Sequence, residues 1–379
     1  MSTDPGSPRR REPMPNRRHR IWSVPLVVIV MVFVGVVLVQ NFRTVGYYAV
    51  APGDATSAQK RVVLGAGVDH FASKGQVLFV TVREPQLTAL ARWVADQEND
   101  VEVVAKQRIL GNQTPEENRQ ENLKLMTYSK DFAAFVALKH LGYPVTVSDG
   151  GVSIASLCLE STDGKTCSKE APAAAVLKVG DIITGIDGTP INITSDISPV
   201  LAGKKDGDVV KVTVKRGNDT LAVDAPLTSD SGRVILGIIP DPDPPVTTKF
   251  QLPLDVSIDS GEVGGPSAGL AFTLALLDEL TPGDITGGAK VAATGTISLD
   301  GRVGAIGGLP QKAVAVRDAG AKVFMVPASQ SDDEIAQANK YTNDELQIVR
   351  VATLDEALTE LATLGGNALA LGTPGAVNG

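Results

Sequence analysis

Cysteine and histidine are scarce: 379 residues contain two cysteines and three histidines, His19, His70 and His140. That excludes a disulfide scaffold and a thiolate metal site, and leaves little for a histidine-rich catalytic or metal centre. Net positive charge is lacking too. The formal charge is -8 and the pI about 5.1, which argues against nucleic acid as the main partner. No complete nucleotide-binding loop is present. Gly164-Lys165-Thr166 has Leu159 where a phosphate loop needs its first glycine, and Gly304-Ala-Ile-Gly-Gly falls short of G-x-G-x-x-G. Ser57-Ala-Gln-Lys60 has the S-x-x-K spacing of penicillin-binding enzymes, but no KTG follows it. What is present is ordinary globular material, 43% hydrophobic and 21% charged. This rules out disorder of the whole chain, and the length fits two or three domains at roughly 100–200 residues each.

One long apolar run stands out. Ile21 to Val39 is interrupted only by Ser23, Pro25 and Gly35, and as a helix it would measure about 28 Å against a hydrocarbon core of about 30 Å. Six arginines and two acidic residues precede it, +4 locally, leaving -12 for the remainder. Arginines on the amino side predict a single-pass helix over 21–42, a cytoplasmic basic tail over 1–20 and an extracytoplasmic bulk. The competing reading is a cleaved signal peptide. Ala49-Val50-Ala51 has the small residues for it, but lies well beyond the run and is followed by Pro52. An extracytoplasmic location permits Cys158 and Cys167 to close a polar loop as a disulfide; two unpaired thiols are the alternative.

Beyond the run, Thr44 to Ala66 reads as a stalk with a turn at Pro52-Gly53-Asp54, and Gly75 to Val82 as a buried strand. Gln86–Asp96 and Leu123–Leu141 read as helices, with a polar stretch over Pro115–Glu121 between them. From residue 148 to about 230, short runs with period-two character end in turn signals, the pattern of a small β-rich module. Pro240 to Pro245 is a stiff connector. From Leu252 onward strands and helices alternate, which argues for an α/β domain over residues 245–364. Residues 365–379 carry no periodicity and read as a flexible tail.

Two segments carry chemistry. Gly261-Glu-Val-Gly-Gly-Pro-Ser-Ala-Gly269 leads into an apolar helix, so Ser267 lies at a helix start among unpaired amide donors. Thr294-Gly-Thr-Ile-Ser-Leu-Asp-Gly-Arg-Val-Gly-Ala-Ile-Gly-Gly-Leu-Pro-Gln-Lys312 leads into another. All three histidines lie far upstream of Ser267, which favours a serine–lysine pair over a histidine triad. The apolar flanks Leu309, Ala313, Val314 and Val316 suit the desolvation that makes a lysine neutral. Asp259, Glu262, Lys290 and Lys322 read as structural or solvated.

GPSAG together with TGxIxxxGxVxxIGGxxxK resembles the proteolytic domain of Lon-type serine peptidases. That resemblance implies Ser267 as nucleophile and Lys312 as general base, with Thr294 orienting the lysine. It also implies homo-oligomerisation; neither a metal nor a cofactor is expected. Ser153-Ile-Ala-Ser-Leu, followed by Ala171-Pro to Gly188, resembles a PDZ domain over roughly residues 149–228. A groove is then expected between the strand near Val152–Leu157 and the helix near Ser195–Gly203, with the Cys158–Cys167 loop close to it.

The combined expectation is an α/β (α+β) Lon-type proteolytic domain split into residues 43–147 and 245–364. A β-rich PDZ-like domain over 148–230 is inserted between the halves, and an N-terminal transmembrane helix precedes them. Its partners would be protein or peptide substrates and the membrane, with no nucleic acid. With no ATPase motif visible, it would cleave unfolded or membrane-associated proteins without ATP. Two alternatives stay open: an inactive PDZ-bearing scaffold on the same fold, and a serine–lysine enzyme acting on another acyl group such as a cell-wall peptide.

Overall fold

The computed structural model describes residues 20–42, 44–161, 167–230, 232–241, 245 and 248–371. The expected basic tail up to residue 19, residues 242–244 of the Pro-rich connector and 372–379 of the expected flexible tail lie outside the described residues. Helix α1 spans Arg20–Phe42. Its side chains from Leu26 to Val34 are 48–67% exposed. Among the described residues no helix is long and apolar enough to cross a membrane.

Two compact units divide the chain: one contains the chain up to Val50 with Glu84–Ile109, the other Ala51–Arg83 with Leu110 onward. In the smaller unit the first part of strand β1 (Thr44–Ser57) pairs antiparallel with Gln86–Thr88 and with Glu102–Ala105. Gln86–Asp96, expected as one helix, is divided. Thr88 accepts the N–H of Ala91 on its side chain and so starts helix α2 at Ala89, ending at Ala95.

In the larger unit strand β2 (Gln76–Arg83) pairs with the second part of β1. Helix α3 runs from Pro115 to His140, well before the expected start at Leu123. The cause is a reciprocal cap: Thr114 accepts the N–H of Glu117, and the Glu117 carboxylate accepts the N–H of Thr114. Pro115 occupies the first helical position, where no N–H is needed. The polar stretch is therefore the exposed first turns of a helix whose later residues, Phe132 to Leu138, are buried.

Next comes a small β-rich module with its own core, including Ile154, Ile183, Ile186, Val210, Val212 and Val214. Its strands are β3 (Val152–Ser156), β4 (Ile182–Ile186), β5 (Val209–Arg216), β6 (Asp219–Pro226) and β7 (Ile239–Pro240), with the short helix α4 (Ile197–Leu201). They lie in the order β6-β5-β4-β3-β7. The buried Asp181 takes two 2.7 Å hydrogen bonds from the Arg216 guanidinium, which holds its carboxyl below the usual range. Cys158 and Cys167 are joined by a disulfide across the hairpin of Cys158–Ser161 and Cys167–Glu170.

This sheet corrects the expected groove. β3 is an interior strand, flanked by β4 and by β7, and the N–H of Asp241 donates to the carbonyl of Ser153 at 2.8 Å. The edge is β7, a segment past residue 230 that the run of alternating strands did not include. Pro240 is compatible with that place because an edge strand tolerates a missing donor. Thr146–Ser148 and Lys249–Gln251 pair antiparallel, so the chain enters and leaves the module side by side.

Further along come helix α5 (Gly269–Leu280), strands β8 (Lys290–Ala293), β9 (Thr296–Ile297) and β10 (Val303–Gly304), helix α6 (Leu309–Asp318), strand β11 (Val323–Pro327), helix α7 (Asp332–Thr342), strand β12 (Gln347–Val351) and helix α8 (Leu354–Thr363). Residues of β12, β11, β8 and β2 pair in parallel in that order, and the sheet continues antiparallel to residues 51–57. The parallel strand Val323-Phe-Met-Val-Pro327 is buried throughout, as a sheet covered on both faces requires. Alternation assigns the faces. Val77 and Phe79 join a core with α3, α5 and α8, while Leu78 and Val80 join another with α6. Residues 126–138 and 254–361 thus share one core although the β-rich module separates them in sequence. Helix α5 is buried along its whole length, which is why its sequence is apolar on every side as far as Leu277, before Asp278 and Glu279.

Candidate active site

The loop before α5 places Ser267. Gly265 takes φ +87°, a left-handed conformation open to glycine, and its N–H donates to the carbonyl of Asn122 at 2.8 Å. Ser129, buried on α3, donates from Oγ to the carbonyl of Pro266 at 3.0 Å. Helix α3 therefore holds the two residues that precede Ser267. Gly269 is a contact requirement: a Cβ there would come 2.8 Å from the backbone nitrogen of Ile297. That close approach lets the start of α5 lie against β9. The N–H of Leu270 donates to the carbonyl of Gly295 at 3.1 Å, and the N–H of Gly295 to the carbonyl of Ser267 at 2.9 Å.

Lys312 comes from the first turn of α6. Gly308 precedes that helix at φ +68°, and the N–H of Lys312 donates to its carbonyl. Lys312 is 2% exposed, and Leu309, Ala313, Val314 and Val316 around it are all buried. Its Nζ lies 2.8 Å from Ser267 Oγ and 3.3 Å from Thr294 Oγ1. Thr294, fully buried, donates in turn from Oγ1 to the Ser267 carbonyl at 3.1 Å. Ser267 itself is only half-buried, so the hydroxyl is reachable while the lysine is not.

The three residues singled out from sequence, Ser267, Lys312 and Thr294, are thus brought into one hydrogen-bonded cluster from three separate elements. The four set aside stand outside it. Asp259 accepts the N–H of Gly261, Glu262 reaches Arg119 on the surface, Lys290 donates to the carbonyl of Ala319, and Lys322 is exposed. Sequence reading missed Asn122 and Ser129. The available signal was a small hydroxyl among the apolar residues of α3, next to Met126, Phe132 and Ala133. Among the described residues no group of His, Cys, Asp and Glu could hold a metal ion.

The cluster can perform acyl transfer. A serine hydroxyl becomes a competent nucleophile when an adjacent base takes its proton. An amine stripped of water favours its neutral form. Backbone N–H groups at the start of a long buried helix are suited to a developing oxyanion.

Comparison with known proteins agrees with both modules. The family of Lon protease (S16) C-terminal proteolytic domains matches residues 247–363, which include the whole cluster. The PDZ domain family matches residues 140–227. The Lon protease of Lachnoclostridium phytofermentans is 37% identical over 94 residues, 25% of this chain and 11% of that protein. The Lon protease of Neorickettsia sennetsu is 36% identical over 117 residues, 30% of this chain and 14% of that protein. The chain thus spans between 11% and 14% of the length of these relatives. Among solved structures, the PDZ domain of an SdrC-like protein from Listeria monocytogenes is 32% identical, covering 24% of this chain and 86% of that one, with a TM-score of 0.20.

Proposed function

We propose that this protein is a membrane-anchored serine endopeptidase that cleaves unfolded polypeptides without ATP, using Ser267 and Lys312. The 2.8 Å approach of a buried lysine amine to a reachable serine hydroxyl carries this reading. Neutral Lys312 takes the proton of Ser267 as Oγ attacks the scissile carbonyl, and amides at the start of α5 hold the oxyanion. The resulting ammonium protonates the leaving amine, which departs and leaves an acyl-serine. Water, deprotonated by Lys312, then releases the acid and restores the pair. Thr294 fixes the lysine by bonding Nζ and the Ser267 carbonyl together.

The β-rich module, on this reading, is inserted into the peptidase domain and recruits substrate along the open edge of β7, where Ile239 is 50% exposed. Membrane association through the exposed apolar side chains of Leu26–Val34 is supported by the arginines that precede them in the sequence. Helix α2 of the same small unit presents Leu90, Trp93 and Val94 on one exposed face, suited to the interfacial region of a bilayer.

The test uses the full chain in detergent micelles with reduced, carboxymethylated lactalbumin and no ATP. Cleavage is expected, and it should rise with pH, because only the deprotonated amine can act as the base. A folded protein that leaves this polypeptide intact at every pH would sink the peptidase reading in favour of a binding protein.

Ser129 should act as a positioning residue. Ser129→Ala removes the donor to the Pro266 carbonyl, a hydrogen bond of about 0.5–1.5 kcal/mol, so kcat is expected to fall about 2–10-fold. Steady-state kinetics should show KM unchanged. A fall confined to thermal stability, with kcat intact, would make the contact purely structural.

A further inference from the structure

Lys60, Arg61 and Lys290 take no part in the chemistry above, yet all three line one cavity of about 450 Å³. Strand register brings them together. Lys60 and Arg61 belong to the single 3-10 turn Gln59–Arg61 that follows β1, and Lys290 opens β8. Pairing of β8 with β2 sets Lys290 level with Gln76, and pairing of β2 with β1 sets Leu78 level with Ser57, just before that turn. Among the described residues no carboxylate forms an ion pair with any of the three cations. Lys290 donates one N–H to the carbonyl of Ala319 at 3.1 Å, and an ammonium has two more. The guanidinium of Arg61 lies 5.7 Å from the centroid of the Phe79 ring. Asp259 also lines the cavity, and its carboxylate accepts the N–H of Gly261. Three positive charges thus face one negative charge, in a chain whose formal charge is -8.

We propose that this cavity is a binding site for a phosphate group, held by Lys60, Arg61 and Lys290. Cations around one cavity repel each other, and a multiply charged anion between them turns that repulsion into attraction. Phosphate matches the donors better than a carboxylate does. Its second charge balances the surplus, and its oxygens can take charge-assisted hydrogen bonds from several directions at once. The planar fork of a guanidinium fits two of those oxygens, and the lysines act as point charges. Thr56 and Gln76 line the same cavity and add neutral donors. The volume falls within the range of formed ligand pockets, roughly 300–1,000 Å³, so the phosphate can be free or can head a lipid. The site is tied to the elements that carry the cluster. Strand β8 begins at Lys290 and leads to Thr294, and helix α6, which bears Lys312, is capped by Ala319. The N–H of Asp259, in the segment leading to Ser267, donates to the Arg61 carbonyl at 2.8 Å. An anion bound only by the folded arrangement stabilises it by mass action.

Binding at this site is independent of the peptidase reading, so the experiment measures affinity and needs no substrate. The full chain in detergent micelles, at low ionic strength, is titrated calorimetrically with inorganic phosphate and, separately, with soluble dihexanoyl phosphatidic acid. Saturable binding is expected, with a rise in Tm as phosphate is added. Lys60→Gln and Lys290→Gln should each weaken the Kd about ten-fold, the effect of losing one charge-assisted contact. Asp259→Asn should tighten it, because the opposing charge is gone while an acceptor for Gly261 remains. Both lysines are exposed, so their variants should fold, and far-ultraviolet circular dichroism checks that they do. Tighter binding of the phosphatidic acid assigns the site to a lipid headgroup; phosphate binding as well or better assigns it to the free ion. Absence of saturable binding by either probe overturns the site, as does a Kd that neither lysine variant moves.

Discussion

Ser267→Ala is expected to reduce cleavage of unfolded polypeptide to background, a loss of at least about 10³–10⁴ in kcat. Lys312→Met should reach the same floor, because a serine with no adjacent base keeps its proton at neutral pH. Lys312→Arg should fail as completely. A guanidinium stays protonated at any working pH and cannot accept the serine proton. The double variant should be no worse than either single one, since the two side chains act as a unit. Rates measured on the four proteins with one unfolded substrate settle the matter. If Lys312→Met retained a large share of the activity, some other group would be the base and the 2.8 Å contact would be incidental.

Phe272→Ala is expected to produce the largest loss of stability, about 3–5 kcal/mol. Phe272 is fully buried on α5, with its ring centroid 5.3 Å from that of Phe79 on β2. Truncation leaves a cavity between the helix that follows Ser267 and the sheet whose strand β8 leads into Thr294. Phe272→Leu keeps much of the volume and should cost less than about 1.5 kcal/mol. Urea unfolding followed by far-ultraviolet circular dichroism would compare the two. Equal, small shifts would mean that the helix packs more loosely against β2 than the buried ring indicates.

Much of this architecture was legible before any coordinates. The catalytic candidates were readable because their chemistry sits in dense local patterns, a glycine-rich turn into an apolar helix and a second such turn ending at Lys312. The alternating strands and helices after residue 252 were readable because a parallel sheet covered on both faces imposes long apolar runs. The start of α3 was misread for a physical reason. Thr114, Pro115 and Glu117 form a cap whose signal is three residues wide, whereas the polar surface that follows spans two turns and dominates the pattern. The split of Gln86–Asp96 has a similar origin, since the Thr88 cap marks the helix start only once Gln86–Thr88 is seen to pair with β1.

Other features could be decided only by tertiary contact. The groove strand of the β-rich module was misplaced because β7 is two residues long and lies past the last alternating run. Only its pairing with β3 shows that the sheet edge is there. Asn122 and Ser129 lie far from Ser267 in sequence, yet they grip the Gly265–Pro266 backbone across α3. The sequence by itself determined which residues could do serine–lysine chemistry, because residue type and short-range spacing are local properties. Only the fold decided that Lys312 is dry, that Ser267 is reachable and that Lys60, Arg61 and Lys290 line one cavity. Burial and approach distances arise from segments that lie far apart in the chain, 45 positions for Lys312 and Ser267 and 137 for Ser129 and Pro266, and no local pattern encodes those meetings.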